Sequence, residues 1–469
     1  MRLQPAFLSR QQVELVHRNA LRVLAEVGVK VEHQELRRHL TSVGGRAEGG
    51  GDVVRFAAAD AECHIAAAPK TPSADAPGRV GARVGVYQSR YLEPHDDRLV
   101  QFDEARLAKY AAMARELGYV ERIGILGVPF DMPDIPPAYQ PLAEKLYAWK
   151  HGLAPDGSII FTALCEPMVE LYECHAAATG REFEDVFKAV GYMLSPLRLA
   201  RSECEQFMFY QQRGLPMYLG HLPSQGGSAP VTFAGALVVA LAEEIFLFLV
   251  QRAFREEAPF GVGGTPGTID MRKGLACYGR PEMQRFNVAL ADLARFYGCS
   301  CAGHTGLTDA RLPSVEAGAQ KAMGALITAL ACGHGSVAAG LLGMDEICSP
   351  VQLVLDGDLV GSLQVILAES NVDNEACAFE DILSAGCGGN FLGTDMTVER
   401  FREELWEPRT WTRGSTSGWE LSGRQTDADR AREWVAAFEK RFVPEQRIGR
   451  DEEKDLRAII RRAVSRSLV

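Results

Sequence analysis

The stretch "CSCAGHTGLTDARLP", residues 299–313, has an order of residues that recurs along the chain and decides its fold. A short apolar run comes first, a loop of glycine and polar residues follows, and a helical pattern begins at residue 314. This order is typical of a parallel strand and its helix, because the chain must cross back over the sheet before the next parallel strand. The stretch therefore predicts one strand–helix unit with a polar loop directly after the strand.

Eight apolar runs have this setting, and each is an expected strand. They are RIGILGV (122–128), SIIFTAL (158–164), FKAVGYML (187–194), MYLGHL (217–222), PFGVGG (259–264), CSCAG (299–303), SVAAGLL (336–342) and GGNFLG (388–393). Expected helices cover 199–213, 230–253, 281–297, 314–332, 350–369 and 396–405. The number and rhythm of these units predict an α/β fold, a (β/α)8 TIM barrel. A doubly wound sheet is the alternative, but no G-x-G-x-x-G opens a helix after the first strand.

The regions on either side of these units have different patterns. Residues 1–120 combine helical patterns with short strand-like runs and predict an N-terminal extension of mixed α and β structure, in which Asp103 caps a helix. Residues 121–405 are the expected barrel. Residues 406–469 are polar and predict a helical C-terminal tail.

Composition and charge narrow the classes of partner. The 469 residues are 47% hydrophobic and 24% charged, as in ordinary globular proteins, and the net charge of −11 argues against nucleic acid and anionic membranes. The N-terminus lacks an apolar leader, and the 11 scattered cysteines contain no C-x-x-C pair. The apolar stretch 233–254 is interrupted by Glu243 and Glu244 and predicts a buried helix rather than a membrane span. We therefore expect a cytoplasmic protein with reduced thiols.

The polar residues directly after the expected strands form the candidate site, because the chemistry of a barrel lies at the carboxyl ends of its strands. Each residue alone has a structural alternative: a turn, a helix cap, or, for Asp270 and Arg272, a mutual pair. Together they form an expected functional rim. Its members are Phe130, Asp131, Glu166, His221, Gln225, Asp270, Arg272, His304, Thr308, Asp309 and Asp345.

Cys299, Cys301 and His304 also have the spacing of zinc ligands. In a strand the two cysteines face the same way, and His304 can fold back over them. Ordinary packing is the alternative interpretation, because small buried cysteines are common in barrel strands. We favour packing and keep the metal site as the minority hypothesis.

Five segments, in their order and spacing, resemble the trimethylamine methyltransferase family. They are GGSAPVTFAG, DMRKG, GLTDARLPSVEAG, GGNFLG and ELWEPR, and the similarity covers roughly residues 10–420. The family consists of corrinoid-dependent methyltransferases with a (β/α)8 barrel, which act on tertiary and quaternary methylated amines. This chain contains only standard residues, so it resembles the branch without pyrrolysine, whose members demethylate quaternary amines such as glycine betaine.

The resemblance implies methyl transfer from a methylated amine, such as a betaine, to the Co(I) centre of a separate corrinoid protein. Asp270, Asp309 and His304 are the candidate catalytic residues. Aromatic faces and carboxylates would hold the ammonium, and Arg272 and His221 would hold a carboxylate. The substrate-binding candidates are Tyr87, Phe130, Asp131, Glu166, His221, Gln225, Arg272, Thr308 and Asp345.

Other functions and partners remain open at this point. A quaternary nitrogen leaves as a neutral amine, so no tightly bound metal is expected. One alternative is a zinc-dependent corrinoid methyltransferase that uses Cys299, Cys301 and His304 with a thiol, thioether or O-methyl donor. Another is a barrel that binds a methylated amine without catalysis. His221 and the Cys/His triplet depart from the family pattern, which leaves the substrate open. We expect a homo-oligomer that leaves the barrel mouth uncovered.

Overall fold

The computed structural model describes residues 6–71, 78–86, 90–125, 127, 130, 132–155, 160–264 and 266–466, and it confirms the α/β class. The strands of these residues are β1 Val29–Val31, β2 Gly45–Ala47, β3 Val53–Phe56, β4 Arg79–Val86, β5 Arg90–Leu92, β6 Leu99–Gln101, β7 Arg122–Ile125, β8 Ala154–Pro155, β9 Val190–Tyr192, β10 Arg198–Leu199, β11 Tyr218–Gly220, β12 Ser224–Gln225, β13 Gly261–Val262, β14 Gly267–Asp270, β15 Leu275–Cys277, β16 Ser300–Cys301, β17 His334–Ala338, β18 Leu341–Leu342 and β19 Ile347–Cys348.

The α-helices of the described residues alternate with these strands through most of the chain. They are α1 Arg10–Arg22, α2 Gln34–Leu40, α3 Ala58–Ala67, α4 Glu104–Leu117, α5 Gln140–Lys150, α6 Cys165–Thr179, α7 Phe183–Val186, α8 Arg201–Gln212, α9 Phe233–Arg252, α10 Pro281–Tyr297, α11 Val315–Cys332, α12 Pro350–Leu367, α13 Phe379–Ala385, α14 Asp395–Glu404, α15 Thr416–Leu421, α16 Asp427–Arg441 and α17 Arg450–Arg466.

Among the described strands with a parallel partner, eight form a series along the chain, apart from the parallel pairs β1–β10, β12–β14 and β5–β19. β17 pairs with β4, β4 with β7, and β7 with β8; β9 pairs with β11, and β13 with β16. The last strand of the series therefore pairs with the first. Among the described residues no strand pairing joins β8 to β9, β11 to β13 or β16 to β17, so the hydrogen-bonded ladder is not continuous.

Two expected strands are wrong in position. Residues 388–393 form no strand; they lie exposed, between α13 and α14. Their expected place in the series is taken by β4, whose Val80, Ala82 and Val84 are buried between β7 and β17. The sequence did not reveal this burial because glycines and arginines alternate with the apolar residues of β4. The pairing of β4 with β7 also crosses the boundary, near residue 120, that was expected between the N-terminal extension and the barrel. Near the expected strand at 158–164, the observed strand is β8, and Thr162–Leu164 is a 3-10 turn.

The expected helices are confirmed, most closely for α10. Asp103 caps α4 by accepting the N–H of Arg106. The helices α9 and α12 are long and apolar enough to cross a membrane, but both pack mainly inside the protein. In the C-terminal tail, α16 packs on α12, and α17 packs on α5 and α6.

Helix α12 runs against the direction of the neighbouring strands. Near its start, the Asp356 carboxylate accepts the N–H of Gly340, just after β17. Near its end, the Gln364 amide donates to the carbonyl of Val80, at the start of β4. The first half of α12 thus marks the carboxyl end of these strands and its last turn marks their amino end.

Candidate active site

The loops after β16 and β18 are fixed to each other and to β17. Gly306 has a φ of +68°, and a Cβ there would lie 2.1 Å from the carbonyl oxygen of Ser336 in β17. Only glycine fits this close approach. The N–H of Met344 donates to the Thr308 carbonyl at 2.9 Å, and the N–H of Gly343 donates to that of Ala310 at 2.7 Å. The two loops therefore form one rigid rim at the carboxyl ends of the strands.

Five side chains near this rim interact through ring contact or charge, and we term them the tyrosine cluster: Arg83, Tyr192, Tyr278, His304 and Asp345. The Tyr278 and His304 rings meet edge to face, with centroids 4.9 Å apart. Burial raises the pKa of Tyr278, and the nearby Asp345 and Tyr192 add to the effect. Arg83 acts electrostatically on Tyr192, His304 and Asp345. Because both tyrosines are half-buried and Arg83 is exposed, the cluster is open to solvent on one side.

Space for the Tyr192 ring depends on Gly220, at the end of the paired strand β11. A Cβ at Gly220 would lie 2.7 Å from Cε1 of Tyr192. The ring therefore lies directly on the main chain of β11.

Asp345 gives the cluster a buried carboxyl in a strained loop. Met344 and Asp345 have φ values of +60° and +67°, a backbone region that non-glycine residues rarely adopt. Such strain collects at functional sites. Burial raises the pKa of Asp345 to about 6, while Lys321 and Arg83 oppose that shift. Asp345 is therefore an anion near neutral pH and becomes neutral in mild acid.

His304 is a neutral member of the cluster. Burial, with a smaller contribution from Arg83, lowers the pKa of its imidazole to about 3. Nδ1 is buried and has no hydrogen-bond partner among the described residues. Asn287 fixes the backbone by donating to the His304 carbonyl at 2.9 Å. His304 thus adds an uncharged ring to the cluster, rather than an exchangeable proton near neutral pH.

Three of the expected rim residues line a common cleft of about 580 Å³: Asp270, Arg272 and Asp309. The Asp309 carboxylate accepts the N–H of Tyr278 at 2.7 Å and that of Gly279 at 3.0 Å. Asp270 accepts the N–H of Arg272 at 2.8 Å, and this hydrogen bond holds the pKa of Asp270 below its usual value. Asp309 therefore positions a ring of the tyrosine cluster, and Asp270 closes the β14–β15 turn.

Thr308 lies buried behind the rim. Its hydroxyl donates to the Gln320 side chain at 2.6 Å and accepts the N–H of Ala310 at 3.0 Å. The side-chain oxygen of Gln320 also accepts the N–H of Asp309 at 3.0 Å. Thr308 thus holds the loop that carries Asp309.

His221 forms a separate buried ionic site. Its Nδ1 lies 3.2 Å from Glu243 and its Nε2 lies 2.8 Å from Glu244, both on α9. Burial disfavours the charged imidazole, but the hydrogen bonds from Glu243 and Glu244 outweigh burial and raise the pKa of His221 to about 9. Glu243 also accepts the Ser195 hydroxyl and the N–H of Leu197. The positive charge of His221 is therefore already paired within the protein.

The remaining predicted residues lie apart from the tyrosine cluster. Gln225 donates to the carbonyl of Val231 at 2.7 Å. Glu166 forms an exposed ion pair with Arg213 at 2.8 Å. Phe130 packs on Tyr147, with ring centroids 5.0 Å apart. The candidates Tyr87 and Asp131 lie outside the described residues.

The expected zinc ligands do not come together. Cys301 Sγ lies 2.9 Å from Cys332 Sγ, and this contact and burial raise the pKa of the Cys301 thiol. Burial also raises the pKa of Cys299 to about 12. In the part of the chain that the structure describes, no group of three or more His, Cys, Asp or Glu side chains could hold a metal. This geometry agrees with the packing interpretation of Cys299 and Cys301.

Sequence reasoning missed three members of the tyrosine cluster. Tyr192 is the last residue of β9, so an aromatic residue at a strand end was an available signal. Arg83 lies in β4, which the pattern placed in the N-terminal extension. Tyr278 follows the short strand β15, and only its contact with Asp309 reveals its position.

Comparisons with known proteins identify the relatives of this chain. The family model described as Trimethylamine methyltransferase (MTTB) matches residues 165–466. Trimethylamine methyltransferase MttB1 of Methanosarcina mazei is 30% identical over 269 residues, which cover 57% of this chain and 54% of the relative. Glycine betaine methyltransferase of Desulfitobacterium hafniense is 25% identical over 431 residues, 88% of each chain.

A solved structure is also similar. The crystal structure of the Methanosarcina barkeri monomethylamine methyltransferase aligns with a TM-score of 0.48 at 10% identity and covers 92% of this chain and 88% of that one. The matched part of this chain spans about half the length of the Methanosarcina trimethylamine methyltransferases, 54% for MttB1.

Proposed function

Because the chain belongs to the trimethylamine methyltransferase family, we propose that it moves a methyl group from a methylated amine to the cobalt of a separate corrinoid protein. The observation that carries this proposal is the tyrosine cluster, in which the half-buried ring of Tyr278 packs against His304 and is affected by the charges of Asp345 and of a second half-buried tyrosine, Tyr192. We propose also that the eight parallel-paired strands form a (β/α)8 barrel with the cluster at its mouth.

The cluster has the chemistry to hold a quaternary ammonium. A cation over a tyrosine ring gains about 0.5–2 kcal/mol, more when water is excluded. Ionised Asp345 adds charge attraction, and neutral His304 adds no repulsion. Arg83 lies on the open side, where its guanidinium suits the carboxylate of a betaine-like substrate. In this proposal Arg83 takes the role first expected of His221 and Arg272.

The protein's part in the reaction is to bind and orient. The methyl acceptor supplies the nucleophile, and the amine leaves as a neutral molecule, so no side chain has to donate a proton. The rings of Tyr192 and Tyr278 would fix the ammonium with one methyl group toward the opening and keep water from the others. Asp309 contributes by holding the main chain of Tyr278 in place.

Purified protein should be assayed with a panel of methylated amines, Co(I) cobalamin and candidate corrinoid proteins. We expect formation of methylcobalamin or methylated corrinoid protein, read by absorbance, with betaines or trimethylamine as donors. Binding of a betaine by calorimetry without methyl transfer to any acceptor would favour the non-catalytic alternative. Stoichiometric zinc, lost together with activity in Cys301→Ala, would favour the zinc-dependent alternative.

A further inference from the structure

Residues 369–405, here termed the exposed segment, leave many apolar side chains in water. Their exposed fractions range from 40% at Phe401 to 84% at Leu392. The exposed segment contains α13 and α14, and neither helix has a buried residue. It also contains GGNFLG (388–393), which the sequence predicted as a strand but which forms none in the structure. The large apolar side chains exposed here are Val372, Phe379, Ile382, Leu383, Phe391, Leu392, Val398, Phe401 and Leu405.

The apolar residues follow helical spacing. Those of α13 occupy positions i, i+3 and i+4 from Phe379, and those of α14 occupy i and i+3 from Val398, with Leu405 directly after the helix. Each helix therefore presents an apolar face. Helices this short are marginal in water without a packed face. The apolar faces of α13 and α14 therefore need a partner surface that buries them.

The exposed apolar area is large enough for a stable contact. Given aromatic side chains of about 150–250 Å² each, the exposed fractions amount to about 1,000 Å² for the whole set. A typical monomer exposes an apolar patch of about 300–600 Å². A standard interface buries about 800 Å² on each partner. Summed over its nine side chains, the exposed segment thus carries about as much apolar surface as one partner contributes to a standard interface.

The uncharged centre of the exposed segment permits a second copy of this chain as that partner, although the acidic residues around it repel those of the other copy. Residues 382–394 contain no charged side chain, whereas the rest of the exposed segment carries nine acidic residues and two arginines. Arg400 pairs with Glu375, which links the two flanks of the uncharged stretch. A two-fold contact brings the same surface from each copy together. Contact through 382–394 keeps the acidic groups at the rim, where water screens them.

The exposed segment lies away from the tyrosine cluster. The exposed segment begins just after α12, whose Gln364 contacts Val80 at the amino end of β4. The chain returns at Trp406, which packs over Gly361 near the end of α12. Both ends of the exposed segment are therefore anchored at the last turns of α12. The carboxyl end of the strands stays accessible to a methyl acceptor.

We propose that residues 369–405 form the contact by which two copies of this chain associate, centred on 382–394. The association does not depend on the proposed methyl transfer. It buries the apolar faces of α13 and α14 and leaves the tyrosine cluster open.

Sedimentation equilibrium of the full chain over the micromolar range tests the proposal. We expect a dimer, or a higher oligomer built on it, whose association strengthens as salt screens the acidic rim. Leu383→Asp with Leu392→Asp should raise the dissociation constant at least about thirtyfold. Leu421→Asp is the matched control, because Leu421 is 90% exposed and lies outside the exposed segment. A monomeric wild-type chain, or a double variant that associates like the control, overturns the proposal.

Chemical cross-linking gives a second readout that does not rely on a disruptive variant. Cys387 is exposed inside the uncharged stretch. Cys377 of the same segment is also exposed, so the test uses a Cys377→Ser background, in which a short bis-maleimide should join two chains and Cys387→Ser should remove that product. Cys63→Ser, at another exposed cysteine, should leave it unchanged. Cross-linking that persists in Cys387→Ser and disappears in Cys63→Ser contradicts the proposal. Association only with a basic protein, weakened by salt, also contradicts it.

Discussion

His221 and His304 lie at similar positions after β11 and β16, yet they differ in charge. His221 lies between two carboxylates of α9, and its pKa rises to about 9. His304 has no acidic partner among the residues that the structure describes, and burial lowers its pKa to about 3. The difference shows that the helix behind a strand end decides whether a histidine there is paired within the protein or available to a ligand. Four changes test this comparison, from the largest expected effect to the smallest.

Glu243→Gln should have the largest effect, on stability. It leaves a buried imidazolium short of a carboxylate and removes one of the two oxygens that accept from Ser195 and Leu197. Breaking a buried pair in this way costs about 3–5 kcal/mol in the free energy of unfolding. Urea unfolding measures the loss. Glu166→Gln, in an exposed pair, should cost about 0–1 kcal/mol.

The same pair predicts a pH dependence of stability. Because folding raises the pKa of His221, its contribution is complete below the unfolded pKa of 6.5 and is lost as pH rises through about 9. The unfolding free energy of the wild type should fall over this range. Glu243→Gln should show a smaller fall, and an equal fall in both proteins would assign the effect to another group.

Asp345→Asn should weaken substrate binding and raise stability. Burial raises the pKa of Asp345 to about 6, so ionising it above that pH costs folding energy, up to about 3 kcal/mol. Asn removes that cost, and the variant should be the more stable above about pH 6. The wild-type KM for a betaine should rise as pH falls through about 6, and the variant should lose this dependence. Asp451→Asn, on exposed α17, is the control.

Tyr278→Ala should lower kcat/KM for a quaternary amine roughly tenfold, because a tenfold loss corresponds to the free energy of about one cation–π contact. Tyr278→Phe keeps the ring and should retain most of the activity. Steady-state kinetics with the donor identified in the methyl-transfer assay distinguishes the two variants. Equal losses in Ala and Phe would assign the hydroxyl, rather than the ring, the main role.

His304→Gln should have the smallest effect, a change of a few-fold in KM. The imidazole is neutral near neutral pH, so its removal should leave the shape of the kcat profile between about pH 5 and 8 unchanged. If one limb of the pH profile of kcat disappeared in this variant, His304 would have to exchange a proton during turnover.

The sequence predicted the strand–helix rhythm well and the site only in part. The periodicity of α10 and α11 marks both helices almost to the residue, because their apolar faces dominate the local pattern. Strand β4 was misplaced because its pairing with β17 joins residues more than 240 positions apart, which no local pattern records. Asp309 was predicted as a catalytic candidate, and its carboxylate contacts the main chain of Tyr278. Sequence reveals which loops are polar; the direction of each side chain depends on packing between distant strands.

Gly220 has a consequence for redesign of this protein. The ring of Tyr192 lies directly on the main chain of β11, so one wall of the site is backbone. No substitution at position 220 can widen the site there, since every side chain larger than hydrogen pushes the ring inward. Variants that accept bulkier donors should therefore arise by replacing Tyr192 itself, and variants that reject them by placing alanine at 220.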